Sequence, residues 1–496
     1  MARSHDLRAD VRALLSAEVG MRAGDAAERV ALVYPSPYRT GMSSLGFQTI
    51  CREINESPGR AAERAFLPDD PEAYRRARMP LFTFESERPV SDFPVVALSV
   101  AYELELAGVI EVLELAGLAP LAEERSARDL IVLMGGPLTF SNPLPLAPFA
   151  DVVLMGECDE TIHAALDAIF ASAGKTAALE AIAAAIPSAF VPALHGDTMP
   201  AIAKASLERL PAYAAIRTPN TELSDMFLLE AERGCSRACE YCVMRRSTNG
   251  GMRIVPMETV LARIPDDARR VGLVGAAVSD HPKIADIVET LAKQGREVGL
   301  SSLRPDRLND RFVAALKMAG YRTLTTASDG ASQRLRDKMQ RKAQEKHLLR
   351  AAELTRAHGM QRMKLYMMIG VPSETDADID ELVLFATELS KRAPLALGIA
   401  PFVSKRNTPL DGEPFAGIEV VDDRLDRLRR GLRGRVDVRA TSARWAWVEH
   451  VLAQGGRAEG LAVLEAVRGG GKFAAWKKAF ARLEPTRPRR ALSIVA

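Results

Sequence analysis

Two series of short, continuously apolar runs, each followed by a helical pattern, constrain this chain more than any other feature of its sequence. In the first series the runs are Arg29–Tyr34, Pro94–Val100, Leu130–Met134 and Asp151–Met155. The segments between them, such as Leu104–Leu118, place apolar residues three and four apart, as an amphipathic helix does. A strand that is apolar on both sides must be covered on both faces, which is the situation in a parallel, doubly wound sheet. Residues 29–190 therefore read as a Rossmann-like α/β domain, preceded by a helical leader over 1–28. Ligands of such sheets sit at the carboxyl ends of the strands, here Tyr38–Gly46, Ser99–Tyr102, Gly135–Pro137 and Gly156–Glu157.

Pro192, Pro200, Pro211 and Pro219 mark 191–224 as a linker. The second series then runs through Met226–Ala231, Val271–Val278, Glu297–Ser302, Thr323–Ala327, Met363–Ile369 and Leu395–Ala400. Six such units over 225–410 are too few for eight and predict a partial (β/α)6 TIM-like barrel, with its site at the C-terminal mouth. Beyond it, helical patterns at Ala443–Gln454, Ala458–Val467 and Lys472–Leu483 predict a helical C-terminal domain over 411–496. That segment carries 17 Lys+Arg against 11 Asp+Glu, a balance of +6 in a chain whose total is +2, so the remainder is slightly acidic. Near-neutrality excludes a bulk polycation that coats nucleic acid or acidic lipid. No run approaches membrane length and the start lacks a signal-type apolar core, so a cytoplasmic protein without a membrane partner is expected.

Five cysteines are too few and too uneven for a disulfide framework. Cys51 and Cys158 stand alone and read as packing residues. Cys235, Cys239 and Cys242 fall within Arg233-Gly-Cys-Ser-Arg-Ala-Cys-Glu-Tyr-Cys242, a CxxxCxxC directly after the first strand of the second series. Three thiolates on one tight loop can each hold an iron of a cubane and leave the fourth iron open. An open coordination position lets a metal centre engage a substrate. The same residues leave a zinc site and a Cys239–Cys242 dithiol as alternatives, the first wanting a fourth ligand and the second leaving Cys235 unexplained.

With Tyr241 before the last cysteine, this run resembles the signature of the radical S-adenosylmethionine (SAM) enzymes. The resemblance implies a 4Fe–4S cluster on Cys235, Cys239 and Cys242, whose unique iron chelates the SAM amino and carboxylate groups. Reductive cleavage of SAM then yields methionine and a 5′-deoxyadenosyl radical. Met363-Lys-Leu-Tyr-Met-Met-Ile-Gly-Val-Pro-Ser-Glu374 is similar to the family's fifth-strand segment, which places Gly370 and Glu374 along the adenine. Ala327–Arg336 resembles the fourth-strand segment near the ribose, with Asp329 in place of the usual Glu. Ser302-Leu-Arg304 is similar to a Ser-Leu-Arg near SAM, where Arg304 pairs with the carboxylate. The family's Gly-Gly-Glu after the second strand is missing, and Ser279 and Asp280 are the polar groups offered there instead. His281 is the one histidine placed to enter the site.

A flavodoxin-like sheet before such a core resembles the cobalamin-binding-domain-containing subfamily. Tyr34–Gly46 is similar to that subfamily's first-strand loop, with Tyr38 where a ligating His stands in some members, and with Gly41 closing the motif. Ser99, Gly135 and Gly136 resemble the elements that accommodate the nucleotide tail, and Gly156–Thr161 the segment that closes the domain. A phenol is a poor cobalt ligand, so the resemblance implies cobalamin held without a protein imidazole.

The expected function is thus radical SAM catalysis, with cobalamin-dependent methylation or rearrangement at an unactivated carbon and flavodoxin or ferredoxin as reductant. The alternatives are a cobalamin-independent radical enzyme that modifies RNA or another anionic substrate, and a non-catalytic iron–sulfur protein. The Arg-rich run Arg424–Arg444, with Trp445 and Trp447, reads either as a clamp for phosphate or RNA or as a solvated helix face.

Overall fold

A computed structural model describes residues 4–125, 130–244, 251–301 and 303–483. The chain forms two compact units, one of Met1–Asp225 with Gly455–Ala496, the other of Met226–Gln454. Among the described residues no helix is long and apolar enough to cross a membrane.

The first unit is built on six strands: β1 (Glu28–Tyr34), β2 (Arg60–Phe66), β3 (Val95–Ser99), β4 (Ile131–Gly135), β5 (Val152–Leu154) and β6 (Ala189–Phe190). Their order is β2-β1-β3-β4-β5-β6, parallel except for β6. This is a flavodoxin-like order, whose direction of winding reverses between β1 and β3 and opens a crevice there. The apolar runs are buried as expected, with Val30, Ala31, Val95 and Val132 inaccessible to solvent.

Strand β2 escapes a reading by apolar runs because Glu63 and Arg64 stand at its centre. Both are buried, and both are paired. Arg64 binds Glu18 at 2.8 Å and Glu85 at 2.6 Å, while Glu63 accepts from Thr83 at 2.7 Å and pairs with Arg29 at 2.5 Å. Buried charge is tolerated when it is neutralised and hydrogen-bonded. The leader is helical only over Ser4–Ser16; Val19–Gly20 then pairs with Ile216–Arg217 of the segment read as a linker.

The second unit carries β7 (Met226–Glu230), β8 (Arg270–Val274), β9 (Glu297–Leu300), β10 (Thr323–Asp329), β11 (Arg362–Ile369), β12 (Leu395–Pro401) and β13 (Asp437–Ala440). All pair in parallel, as β7-β8-β9 and β10-β11-β12-β13, and Leu303, just past β9, makes an isolated parallel bridge to Thr326 of β10. The result is an open arc, and no closed barrel forms among the described residues.

The seventh strand and the fate of the last residues correct the expected boundaries. Asp437-Val-Arg-Ala440 is too short and too charged to read as a strand, yet it pairs with β12 over four positions. The Arg424–Arg444 run is not one helix face. It divides into helix Ile418–Gly431, β13 and the start of helix Ala443–Gln454. Residues 411–496 are not a domain of their own, because helices Arg457–Arg468 and Phe473–Phe480 belong to the first unit. The first of them packs on helix Glu105–Leu115 so closely to the Leu144–Leu146 turn that a Cβ at Gly460 would stand 2.2 Å from the Pro145 carbonyl oxygen.

Candidate active site

The three clustered cysteines follow the first strand of the second unit. Ribbon strand Glu232–Gly234 pairs with Met252–Ile254, so the chain leaves and returns at one place and the loop between is closed at its base. Gly234, at φ +94°, turns the chain into Cys235 in a region costly for a side chain. Cys239 is buried, and Cys235 and Cys242 are half-buried. The Cys242 N–H donates to the Cys239 carbonyl at 3.3 Å, and the Arg237 N–H to Cys235 Sγ at 3.4 Å. Burial raises the Cys235 thiol and pushes Cys242 up to about 11, with the neighbouring sulfurs acting in the same direction. Among the described residues no three His, Cys, Asp or Glu side chains converge as a mononuclear metal site requires. A cubane takes one thiolate per iron, so three thiols spaced along a single loop fit it better than they fit zinc.

The loop is held from two sides. Arg237 binds Asp280, which follows β8, through Nε at 2.7 Å and Nη2 at 2.6 Å. Arg307 donates to the same carboxylate at 2.8 Å, and Arg304 lies 3.7 Å away. Burial pushes the Asp280 carboxyl up, but Arg237 and Arg307 outweigh it and hold it below the ordinary carboxylate range. Asp280 is thus committed to guanidinium groups. The other polar groups expected after β8 are also engaged: Ser279 Oγ accepts the Arg304 N–H at 3.1 Å. His281 is buried, with Nε2 donating to the Val255 carbonyl at 2.9 Å and Nδ1 accepting the Lys283 N–H at 3.1 Å. Both ring nitrogens are thus engaged by the main chain. Arg304 is buried and paired with Asp306 at 3.1 Å. Ser302 lies outside the described residues.

On the second side, the Tyr241 hydroxyl donates to Asp329 Oδ2 at 2.8 Å, and Arg341 pairs with the same oxygen. Burial, with the Asp329 charge, raises the Tyr241 phenol strongly. Asp329 sits at φ +62°, where the β10–β11 register slips by a residue. The Glu240 N–H donates to the Met339 carbonyl at 3.1 Å. Arg341 had no signal in the sequence beyond being a cation two residues after Met339. Glu232 was missed as well. It is inaccessible to solvent, accepts the Ala277 N–H at 2.6 Å, and burial pushes its carboxyl up to about 7.

After β11, Gly370 adopts φ +78° and its N–H donates to Glu374 Oε1 at 2.7 Å. Arg424 binds the same oxygen at 2.9 Å. Burial pushes the Glu374 carboxyl up to about 7 against the pull of the Gly370 N–H and Arg424.

In the first unit, of the residues expected around a corrin, Tyr38 and Gly41 are buried and Ser99, Gly135 and Gly136 half-buried. Tyr38 is buried, stacks on Phe84 with ring centroids 5.5 Å apart, and donates to Glu18 Oε1 at 2.7 Å. A Cβ on Gly41 would stand 2.6 Å from the Phe66 ring, and one on Gly136 2.7 Å from the Val100 carbonyl oxygen and 3.2 Å from Ser99 Oγ. Gly135 faces Cys158 Sγ at 3.5 Å by the same measure, a packing contact that also accounts for Cys158. The crevice between β1 and β3 is bridged by Glu105, which accepts from Ser36 at 3.1 Å and from the Ala101 N–H at 2.6 Å. Gly41 and Gly136 are required by the chain's own packing, Gly135 is not, and Tyr38 is committed to Glu18. Glu105 thus spans the crevice at the strand ends, while Ser99, Gly135 and Gly136 beside it stay half-buried.

Residues 46–192 match the family model of radical SAM proteins, N-terminal, and residues 230–386 that of the radical SAM superfamily. Uncharacterized protein MJ0966 of Methanocaldococcus jannaschii is 24% identical over 399 residues, which cover 78% of this chain and 80% of that protein. The fold is similar to that of the cobalamin-dependent S-adenosylmethionine radical enzyme OxsB. With aqua-cobalamin and S-adenosylmethionine bound, that structure gives a TM-score of 0.50 at 12% identity over 73% of this chain. With aqua-cobalamin alone it gives 0.51 at 11% identity. The chain spans about half the length of OxsB, 52% in each case.

Proposed function

The chain belongs to the radical SAM superfamily, and from that premise we propose that its second unit binds SAM at a 4Fe–4S cluster held by Cys235, Cys239 and Cys242. When bound, the cluster and SAM supply a one-electron reductive cleavage to methionine and a 5′-deoxyadenosyl radical, which takes a hydrogen atom from an unactivated carbon. The electron comes from a low-potential donor such as flavodoxin or ferredoxin in the cytoplasm.

The observation that carries the reading is the closed cysteine loop at the carboxyl end of β7, within the same compact unit as the Gly370–Glu374 turn after β11. Each residue set has a part in it. The three thiols hold the irons, Arg237 and Asp280 hold the loop, and Tyr241 with Asp329 and Arg341 hold its far end. The positive φ at Gly370 sets the turn, with Ala416 and Val421 packed on the side a Cβ would take, so the backbone of Gly370–Glu374 is left to meet a flat ring from its other face.

The finer reading, cobalamin-dependent methylation or rearrangement, draws on the fold shared with OxsB. The Glu105 bridge across the β1–β3 crevice favours instead a cobalamin-independent radical reaction. The test is anaerobic reconstitution with iron and sulfide, then SAM and dithionite. About four irons per chain and release of 5′-deoxyadenosine are expected. If Cys239→Ala leaves that product unchanged, the cluster assignment is wrong.

A further inference from the structure

The Arg-rich segment that follows β12 has no place in the chemistry described so far. It begins with Arg424, on helix Ile418–Gly431, beyond residue 386 where the superfamily match ends. Arg424 Nη1 donates to Glu374 Oε1 at 2.9 Å, and Nη2 donates to the Glu374 backbone carbonyl at 2.7 Å. One guanidinium thus holds both the side chain and the main chain of a single residue, which fixes a backbone position as well as balancing a charge. Because Glu374 Oε1 also takes the Gly370 N–H, the two ends of the Gly370–Glu374 turn are tied through one carboxylate to one arginine.

The turn needs such support. Gly370 and Ser373 both adopt positive φ, at +78° and +66°, and the second is strained for a residue with a side chain. The segment that supplies Arg424 also packs under the turn: a Cβ on Gly370 would stand 3.1 Å from Ala416 Cβ and 3.3 Å from Val421 Cγ2. The Glu374 side chain is wholly buried and that of Arg424 is 14% exposed, so water competes little for the pair. Glu374 Oε2 has no hydrogen bond, so loss of Arg424 would leave a buried carboxylate with one N–H as its partner. Arg427, one turn further along the helix, reaches Asp376 at 3.3 Å and Asp380 at 2.6 Å, past the end of the turn.

We propose that Arg424 is a positioning residue for SAM: acting through Glu374, it sets the backbone of Gly370–Glu374 in the form that receives the adenosyl group. The C-terminal segment is in this way part of the cofactor site. The proposal rests on the radical SAM reading of that turn.

The experiment uses the full chain, reconstituted anaerobically, with iron content, thermal midpoint and the SAM dissociation constant by equilibrium dialysis read for wild type, Arg424→Gln, Arg424→Lys and Arg427→Gln. Arg424→Gln is expected to keep its irons and to bind SAM about tenfold or more weakly, as loss of a charged hydrogen bond implies. Arg424→Lys recovers part of the affinity. Arg427→Gln, which loosens the same helix without touching the turn, stays within about twofold of wild type, in keeping with an exposed ion pair. Wild-type SAM affinity in Arg424→Gln overturns the proposal, as does equal weakening in Arg427→Gln. Should Arg424→Gln fail to fold, wild-type affinity in Arg424→Lys overturns it and a clear loss supports it. A wild-type protein that holds its irons but does not bind SAM brings down the underlying reading instead, and with it the proposal.

Discussion

Arg237 grips Asp280 with both ends of its guanidinium, Nε to Oδ2 at 2.7 Å and Nη2 to Oδ1 at 2.6 Å. Arg237 lies between two cluster cysteines, and Asp280 follows the neighbouring strand. The pair therefore ties the loop to the end of that strand. Arg237→Gln should leave Asp280 with Arg307 and Arg304 but free the loop. The expected outcome is a cluster lost to a chelator about tenfold faster, at a stability cost of about 1–3 kcal/mol, read by iron release and by denaturant midpoint. Unchanged iron retention would show that the cysteines alone hold the loop.

Tyr241→Phe removes the phenol that donates to Asp329 and leaves that carboxylate to Arg341. A charged acceptor that keeps one strong partner loses only part of its stabilisation, so a drop of about 1–2 kcal/mol is expected. Thermal unfolding of the two proteins side by side measures it. Asp329→Ala should cost more, because it leaves Arg341 buried without its carboxylate.

The carboxyl of Glu232 is raised to about 7 by burial, well above its unfolded value of 4.5. Between those two values the folded state binds more protons than the unfolded state, so this group's contribution to stability is full below pH 4.5 and falls as pH rises to about 7. Glu232→Gln keeps an acceptor for the Ala277 N–H and cannot ionise. The variant should therefore gain stability over wild type above pH 7, by up to roughly 3 kcal/mol, with the difference vanishing near pH 4. Denaturant melts at both pH values decide it, and a difference independent of pH would mean that Glu232 titrates in the folded state as it does in the unfolded one.

Purification with added hydroxocobalamin should give protein without stoichiometric corrinoid, because the β1–β3 crevice is bridged by Glu105. Visible spectra and corrinoid extraction give the answer. One corrinoid per chain would show that this face opens, and would return the methyl-transfer reading to first place.

Much of the architecture was legible because apolar strands and amphipathic helices are written in neighbouring residues. Runs such as Arg29–Tyr34 and Leu395–Ala400 could be read directly, since burial on both faces leaves their centres, Val30–Val33 and Leu395–Ile399, without a polar side chain. The three-cysteine motif was legible for the same reason: residues that share one loop need only local spacing to be read together. Strand β2 was not, because Glu63 and Arg64 become acceptable in a core only through Glu18, Thr83 and Glu85. The destination of the last helices was not legible either, as an amphipathic face states that a helix is covered and not by what.

The sequence by itself determined a parallel α/β chain with three thiols on one loop, because strand period, helix period and ligand spacing are each set within about ten residues. Only the tertiary structure decided that Asp280 serves Arg237, that Tyr38 faces Glu18, and that Arg424 holds Glu374 from 50 residues away. Each of these is a charged or polar group taken out of water, and whether such a group is a ligand, a clamp or a packing residue depends on which distant partner satisfies it.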